Sequence, residues 1–367
     1  MDDLRFGVIG TGMMGCEHLR NLVALPGVEV AAISDPDDGS RGRAAAIVGP
    51  DTPAFDDHET MITESDLDAV VVASPNHTHA RVLDAIWATG LHVMIEKPVC
   101  TTVADCLAVR ERAIAHAGLV WVGLEYRYMP AITQLLGRLA DGDAGTVRML
   151  SIREHRFPFL TKVDDWNRFS RNTGGTLVEK CCHFFDLMNL VLGERPLRVQ
   201  ASGAQDVNHL DERYGGEVPD VLDNAFVVVD YPSGARAMLD LCMFAEGSRW
   251  EQEITVVGDR GKLEVHIPNF MEVSRGRGSE LVIGSRGPDW PVREVPIVDD
   301  PRVRHRGSHH GASYLELLEF RDAIGSGSPP AVTVDDGLWS VAAGEAAHRS
   351  IEEGRPVSLT ELGVGPQ

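Results

Sequence analysis

Residues 6–15 read FGVIGTGMMG, a short apolar segment that runs directly into a glycine-rich turn. In a turn of the form GxGxxG, the first glycine permits the tight bend and the second lets the backbone approach a pyrophosphate. The third glycine lets a helix pack closely on the strand, and the N-terminus of that helix faces the phosphates. The segment therefore predicts a strand, a phosphate-binding turn and a helix, with a dinucleotide held by Gly10, Thr11, Gly12, Met13, Met14 and Gly15.

An acidic residue follows at the distance typical of such a turn. Asp35 lies twenty residues beyond Gly15, at the end of the second apolar segment. Its carboxylate is placed to accept hydrogen bonds from the adenosine ribose hydroxyls, and it would repel a 2′-phosphate. The next residues, 36–38, are Pro-Asp-Asp and supply no arginine to offset that repulsion. We therefore predict NAD rather than NADP as the cofactor.

The first third of the chain alternates short β-branched segments with helical patterns. Residues 70–73 are entirely apolar, as is typical of a strand buried on both faces of a parallel sheet. With right-handed crossovers, this alternation predicts an α/β Rossmann domain with a doubly wound parallel sheet. The predicted strands are 5–10, 28–35, 68–74, 92–97 and 119–124, and the predicted helices are 13–25, 58–64, 78–89 and 101–117.

The pattern changes after about residue 124. Turn sequences at 232–234 and 258–261 separate apolar segments closely enough to imply antiparallel hairpins. We therefore expect a C-terminal α+β domain with a mostly antiparallel open sheet, and place the domains at residues 1–125 and 126–367. Its predicted strands are 147–156, 224–231, 235–244, 250–257 and 262–266, and its predicted helices are 130–140, 175–192, 311–324 and 335–353.

The composition restricts the partners of the protein. The chain has 367 residues, of which 43% are hydrophobic, and 34 basic against 55 acidic residues give a net charge of −21. Surfaces for nucleic acid or anionic lipid need clustered lysine and arginine, and no apolar run approaches the roughly 20 residues of a membrane span. Six cysteines without a CxxC pair form no disulfide framework. We expect a cytoplasmic protein that binds neither nucleic acid nor membrane and acts on a small molecule.

Two further loops follow predicted strands of the parallel sheet. The first contains Ser74, Pro75, Asn76 and His79, and the second contains Glu96, Lys97 and Pro98, a candidate for a cis bond. Ligands of open α/β sheets bind outside the carboxyl ends of the strands, so we expect these residues near the nicotinamide half of the cofactor. A lysine at the end of an apolar strand is costly unless it is paired or used, and Glu96 is its nearest candidate partner.

A second group of polar residues lies on the predicted helix 175–192. Glu179 and His183 are four residues apart and would share one helix face, and Asp186 lies one turn further on. A carboxylate beside a histidine is a reasonable acid–base arrangement, because it can fix the tautomer. Cys181 and Cys182 could be metal ligands, but adjacent helical residues point about 100° apart, and we predict no metal site.

Residues 298–310 form a polar, mobile loop in this interpretation. Its basic residues are more typical of a solvated loop or the edge of a substrate site than of a nucleic-acid patch. They are Arg302, Arg304, His305, Arg306, His309 and His310.

Taken together, these motifs resemble the Gfo/Idh/MocA oxidoreductase family, which contains inositol dehydrogenases and glucose–fructose oxidoreductase. The resemblance covers nearly the whole chain and also includes residues 126–130, 336–337 and 353–356. It implies a Rossmann domain and a C-terminal domain whose open sheet forms homodimer or homotetramer contacts. It also implies a nicotinamide cofactor and substrates that are sugars, inositols or related polyols.

The resemblance also implies roles for particular residues. Lys97 matches the family's catalytic lysine and His183 its catalytic histidine, while Glu179 occupies the position where many inositol dehydrogenases carry aspartate. Because glutamate is one methylene longer, the substrate range of the aspartate-bearing relatives is not assumed for this chain. The segments that line the substrate pocket in similar proteins contain, besides these three residues, Arg127, Arg153, Trp166, Asn167 and Arg168.

The sequence thus predicts hydride transfer between a ring hydroxyl of a sugar, inositol or glycoside and the nicotinamide, with Lys97 and His183 as the acid–base groups. Three alternatives remain open at this point. One is an enzyme similar to trans-dihydrodiol dehydrogenase or biliverdin reductase, and another is NAD-dependent elimination from a glycoside. The third is a non-catalytic NAD-binding regulator.

Overall fold

A computed structural model describes residues 3–365, and the first sheet has the expected parallel, doubly wound architecture. Its six strands are all parallel and lie in the order β3-β2-β1-β4-β5-β6. The strands are β1 (Leu4–Ile9), β2 (Val28–Ser34), β3 (Ala54–Phe55), β4 (Ala69–Val72), β5 (His92–Glu96) and β6 (Val120–Gly123). The five predicted strands are confirmed with small shifts at their ends. Strand β3 was not predicted, because two residues show no periodicity.

Five helices connect these strands, and one of them was missed in the sequence. They are α1 (Met13–Ala24), α2 (Asp38–Val48), α3 (His58–Glu64), α4 (His79–Ile86) and α5 (Val103–Ala115). Helix α2 buries only Ser40 and Ala44 and contains Gly39 and Gly42, so its sequence lacks an apolar stripe. Its N-terminus is fixed by Asp37, whose side chain accepts a hydrogen bond from the Ser40 backbone N–H at 2.6 Å.

The second sheet has nine strands in the order β14-β13-β12-β11-β7-β10-β9-β8-β15. All neighbouring strands pair antiparallel except β7 and β10, which are parallel, so the expected mostly antiparallel sheet is confirmed. The strands are β7 (Val147–His155), β8 (Arg198–Ala204), β9 (Asn224–Asp230), β10 (Arg236–Cys242), β11 (Trp250–Gly258), β12 (Gly261–Pro268), β13 (Glu280–Ser285), β14 (Val292–Val295) and β15 (Val357–Ser358).

Seven helices accompany the second sheet. They are α6 (Pro130–Ala140), α7 (Ser170–Thr173), α8 (Thr176–Glu179), α9 (Cys182–Leu192), α10 (Phe270–Ser274), α11 (Ala312–Ser326) and α12 (Val334–Glu353). The single helix predicted over 175–192 is therefore wrong, because Lys180 and Cys181 separate α8 from α9. The Cys181 carbonyl accepts hydrogen bonds from the Phe184 and Phe185 N–H groups, which starts α9 afresh.

The last two helices return to the first sheet and join the two halves of the chain. Glu316 on α11 accepts a hydrogen bond from the Trp121 indole at 3.3 Å, and the Phe320 ring lies 6.0 Å from that of Phe6. On α12, Glu345 accepts the Val103 backbone N–H at 2.7 Å. The two sheets are therefore held by one continuous set of buried side chains.

One face of the nine-stranded sheet packs against helices and the other is open. Strand alternation turns Leu150 and Ile152 of β7 inward and leaves Met149 and Arg153 on the open face. Phe226, Val228 and Met238 from β9 and β10 are exposed on the same face. Among residues 3–365, no helix combines the length and the apolar composition needed to cross a membrane.

Candidate active site

The glycine turn has the geometry that its sequence predicts. Gly10 adopts a φ of +86°, and a Cβ atom there would lie 2.4 Å from the Ser74 backbone nitrogen. A Cβ atom on Gly15 would lie 2.0 Å from the Gly10 carbonyl oxygen, so α1 packs directly on the turn. A Cβ atom on Gly12 would meet nothing within 4 Å. The first and third glycines are thus required by the protein itself, and the open space at the second fits an approaching ligand.

The N-terminus of α1 leaves backbone N–H groups for such a ligand. Its N-cap is Gly12, which offers no side-chain hydrogen bond, and Met13 beside it is exposed while Met14 is half-buried. Thr11 is buried and its carbonyl accepts a hydrogen bond from the Cys16 thiol at 3.3 Å. Free N–H groups and the positive end of the helix dipole suit a pyrophosphate.

Asp35 is tied to this turn. Its Oδ2 atom accepts the Thr11 backbone N–H at 2.7 Å, and its Oδ1 atom accepts that of Asp37 at 2.9 Å. Residues 36–38 supply no arginine, but α2 brings Arg41 from further along the chain against the Asp35 carbonyl oxygen and the Asp38 carboxylate. The Arg41 guanidinium is held by these acceptors, and the carboxylate of Asp35 stays half-exposed beside the turn.

The loop after β4 packs against the glycine turn. A side chain at position 10 would collide with the Ser74 backbone. Asn76 is buried, and its Nδ2 atom has no hydrogen-bond partner. His79 is fully buried, and its ring nitrogens lie 3.0 Å from the Pro98 and Ser74 carbonyl oxygens. The structure therefore gives His79 the role of joining two loops, and the expectation that it binds the cofactor is not supported.

Lys97 lies at the carboxyl end of β5, before a cis bond to Pro98, as the sequence suggested. Glu96 is not the partner of its amine. The Glu96 carboxylate lies 2.6 Å from the His18 ring and accepts the backbone N–H of Lys97 at 3.0 Å. The Lys97 ammonium instead donates to the backbone carbonyl of Glu179 at 3.2 Å. Lys97 is thus aimed across the site toward the second domain, whereas buried Glu96 joins β5 to α1.

Glu179 and His183 do not share a helix face, because the chain turns between α8 and α9. The Glu179 carboxylate points toward Lys162, whose Nζ atom lies 3.9 Å from Oε1, and Oε2 has no partner. Burial raises the pKa of Glu179, although Lys162 and Lys97 oppose this shift. Asp186 does not orient the histidine either, since it binds the Arg127 guanidinium through both oxygens.

His183 is buried and packs face to face on Tyr126. The ring centroids are 3.9 Å apart and the planes differ by 4°. Burial holds the pKa of His183 well below its usual range, and the positive charges of Lys97 and Lys180 lower it further. At neutral pH the imidazole is therefore uncharged and can accept a proton.

The remaining predicted pocket residues occupy different places. Trp166 lies in the irregular segment 163–168, where its ring lies 4.8 Å from the Lys162 ammonium. Asn167 donates to the Leu160 carbonyl oxygen at 3.0 Å, and Arg168 donates to Glu212 at 2.8 Å. Both are buried and hold this segment in place, and Trp166 lies beside Lys162.

Two arginines that were predicted to line the pocket are instead bound to carboxylates. Arg127 is one-tenth exposed and is paired with Asp186 and Asp336. Arg153 lies on the open face of the second sheet, where it binds Asp240 and Glu253 on the neighbouring strands. The assignment of Arg153 to the pocket is wrong for a single chain, because the alternation of β7 turns its neighbour Glu154 inward instead.

Several side chains of the site have no clear signal in the sequence. Lys162 comes from an irregular segment that carries no periodic signal. Tyr126 lies in a segment that carries the family resemblance, but its residue type alone indicates no role. Lys180 is buried, and a buried lysine needs a partner. That partner is Glu154, whose Oε1 atom lies 2.9 Å from the Lys180 ammonium.

The basic loop 298–310 lies against the first domain. The Ser308 backbone N–H donates to Glu17 on α1 at 3.2 Å, and the His309 ring lies 3.2 Å from the Glu125 carboxylate. His309 also lowers the pKa of His183 through its charge, after burial and the two lysines. The loop is thus at the edge of the site, one of the two interpretations left open by the sequence.

No cluster of three or more side chains suited to a metal occurs in the part of the chain that the structure describes. Cys181 and Cys182 are buried, and burial raises the pKa of both thiols, which disfavours the thiolate form that binds metals.

The doubly wound sheet and its glycine turn define a dinucleotide-binding protein of the Rossmann type with a second α+β domain. The chain belongs to the Gfo/Idh/MocA oxidoreductase family. Residues 4–124 match the family model described as an NAD-binding Rossmann fold, and residues 137–359 match the C-terminal alpha/beta domain of the same family.

Two relatives of known name are similar over their full lengths. The myo-inositol 2-dehydrogenase of Thermotoga maritima is 29% identical over 98% of this chain and 99% of its own. The inositol 2-dehydrogenase 2 of Saccharopolyspora erythraea is also 29% identical, over 99% of this chain and 97% of its own. Among solved structures, a probable dehydrogenase from Thermotoga maritima is 28% identical and superposes with a TM-score of 0.75, covering 98% of this chain and all of that one.

Proposed function

We propose that this protein is an NAD-dependent dehydrogenase that transfers a hydride between a ring hydroxyl of a sugar, inositol or glycoside and the nicotinamide. One observation carries the proposal. The Lys97 ammonium, which follows β5 on the same side of the first sheet as the open glycine turn, donates to the Glu179 backbone carbonyl at 3.2 Å. Its charge also lowers the pKa of the buried His183 imidazole, so the three residues lie in one region. The relatives named inositol 2-dehydrogenases support the substrate class.

The acid–base chemistry follows from the charges of these residues. His183 is uncharged and accepts the proton of the substrate hydroxyl. Lys97 donates a hydrogen bond to the same oxygen and stabilises the negative charge that develops there. A bound nicotinamide supplies the acceptor for the hydride that leaves the ring carbon. Glu179 and Lys162 present an acceptor and a donor side by side, an arrangement that suits neighbouring hydroxyl groups of a polyol.

In this proposal the two domains bind different molecules. Residues 1–125 bind the dinucleotide, and residues 126–367 bind the substrate and supply the contact between copies in a homodimer or homotetramer. The open sheet face supports the second assignment, because Met149, Phe226, Val228 and Met238 expose apolar surface there.

A substrate panel tests the function. Nicotinamide absorbance is followed with NAD and, separately, with NADP, across inositols, D- and L-hexoses, pentoses and alkyl or aryl glycosides. Reduction of NAD with one of these groups supports the proposal. Products without net cofactor reduction would instead indicate elimination from a glycoside, and cofactor binding without any product would indicate a regulator or a different substrate class.

We expect Asp35→Ala to weaken NAD binding about tenfold and to improve NADP binding. The carboxylate is tied to the glycine turn and would lose its hydrogen bonds to the ribose, at a cost of roughly 1–2 kcal/mol, while its repulsion of a 2′-phosphate would disappear. The measurement is the Kd of both cofactors by fluorescence titration, with Asp51→Ala, at an exposed acidic residue of the same domain, as the control. Unchanged affinity for both cofactors would contradict the NAD assignment.

We expect Lys162→Met to raise KM for the substrate about tenfold or more and to change kcat much less. Lys162 is the donor beside Glu179, and burial already lowers its pKa, so removing its charge leaves the fold intact but removes a hydrogen bond to the substrate. Steady-state kinetics measure the effect, and Lys162→Arg should restore part of the affinity. A loss confined to kcat would refute a role in substrate binding.

A further inference from the structure

A buried polar cluster lies beneath the His183 ring, and the proposed proton transfer does not use it. We propose that Tyr126 and Lys180 are positioning residues for His183: the Tyr126 ring fixes the plane of the imidazole, and Lys180, anchored by Glu154, holds Tyr126 and keeps a positive charge beside the imidazole. The inference rests on the proposed function, because it explains the surroundings of the proposed base.

The stacking contact is what fixes the imidazole. Among residues 3–365, the Nδ1 atom of His183 has no hydrogen-bond partner although it is buried. The Tyr126 ring is parallel to the imidazole at 3.9 Å and covers one of its faces. The imidazole therefore has no space to rotate on this side. The sequence predicted that a carboxylate orients His183. In the structure the Tyr126 ring takes this place.

Tyr126 is itself held at its far end. The Lys180 ammonium donates to the Tyr126 hydroxyl oxygen at 2.8 Å and pairs with Glu154 Oε1 at 2.9 Å. Arg156 reaches the same Glu154 oxygen at 3.4 Å. Glu154 is completely buried on the inner face of β7, so this anchor belongs to the rigid sheet. The two cations share the Oε1 atom of Glu154, whereas its Oε2 atom is buried without a partner. Such pairing is what allows these charges to be buried.

The same cluster affects the charge of His183. The charged and titratable groups that face it are Lys97 from the end of β5, Lys180 from the turn before α9 and His309 from the loop before α11, and all three lower the pKa of His183. Asp186, one turn along α9, is already bound to Arg127. Tyr126 is uncharged, since burial raises the pKa of its hydroxyl well above the usual value. Removing Lys180 should therefore make His183 easier to protonate.

Three variants separate these roles. Tyr126→Phe keeps the ring and loses the hydroxyl, Tyr126→Leu loses the planar ring, and Lys180→Met loses the charge. The matched control is Tyr231→Phe, which removes another buried tyrosine hydroxyl, one that donates to Asn189 at 2.9 Å outside the site. If Lys180→Met fails to fold because Glu154 is left unpaired, the double variant Glu154→Gln/Lys180→Met removes both charges.

Two readouts are measured on the full-length protein. One is kcat and KM with the best substrate of the panel. The other is the titration of the His183 ring protons by NMR, assigned by their loss in His183→Ala, which needs no turnover. A purely structural role would lower stability without moving this titration.

We expect Tyr126→Leu to lower kcat roughly 10- to 100-fold with little change in KM. Tyr126→Phe should lower kcat less, because it keeps the ring but loses the hydrogen bond from Lys180, and Tyr231→Phe should keep the wild-type rate. We expect Lys180→Met, or the double variant, to move the His183 titration upward by roughly half a unit or more. Wild-type kcat in Tyr126→Leu, or an unmoved titration in the charge variants, would overturn the proposal. An inactive wild type would overturn the proposed function instead, and the NMR titration would still decide the electrostatic part.

Discussion

Replacing Lys97 by methionine is expected to lower kcat by a factor on the order of 10³, while the affinity for NAD stays the same. The Lys97 ammonium reaches across the site to the Glu179 carbonyl, where it can also donate to the oxygen of the substrate. Methionine keeps the length of the side chain and removes the donor and the charge. The negative charge that develops on the substrate oxygen then has no cation beside it.

The measurement is single-turnover formation of reduced nicotinamide, with NAD binding measured separately. Lys262→Met is the matched control, because Lys262 is an exposed lysine on β12 that pairs with Glu264 on the same strand. We expect the control to keep the wild-type rate. A Lys97→Met enzyme that turns over at a rate close to that of the wild type would remove Lys97 from the mechanism.

The second large effect is expected from His183→Ala, which should lower kcat by roughly 10²–10⁴. The wild-type enzyme needs the uncharged imidazole, so its activity is lost as the pH falls through the pKa of His183. Burial, Lys97 and Lys180 hold that pKa well below 6.5. Protonation of His183 should therefore not limit the wild-type rate at neutral pH, and the loss of activity should begin only at a pH well below 6.5. In the variant this acid limb should disappear.

Free imidazole provides an additional test of this variant. His183→Ala leaves a space beside the Tyr126 ring, and added imidazole is expected to restore part of the activity with its own pH dependence. His155→Ala is the control, because His155 is bound to Asp240 on the open sheet face. If the pH profile of His183→Ala matched that of the wild type, another group would have to be the base.

The first domain could be predicted well because its signals are local. The glycine turn, the apolar strand at 70–73 and the acidic residue after β2 each follow from a few neighbouring residues. Helix α2 escaped prediction for the opposite reason, because it is stabilised by the Asp37 cap and buries only two small residues. Arg41, which α2 brings to Asp35, was missed together with its helix.

The second domain and the pocket depend on contacts between distant parts of the chain. Lys97 was found because it ends an apolar strand, but its contact with Glu179 joins residues far apart in sequence. The local sequence contains no signal that predicts the break between α8 and α9, and this break separates Glu179 from His183. The pair of Glu154 and Lys180 shows the same limit, since each charge is explained only by the other.

The most direct test of the account uses a substrate with deuterium on the carbon that bears the reacting hydroxyl. The NAD-bound enzyme is incubated with it, and the mass of the nicotinamide product is measured. The account predicts net reduced nicotinamide that carries one deuterium, because the hydride comes from that carbon. Reduced nicotinamide without deuterium, or conversion of the substrate with no net reduction of NAD, would contradict it.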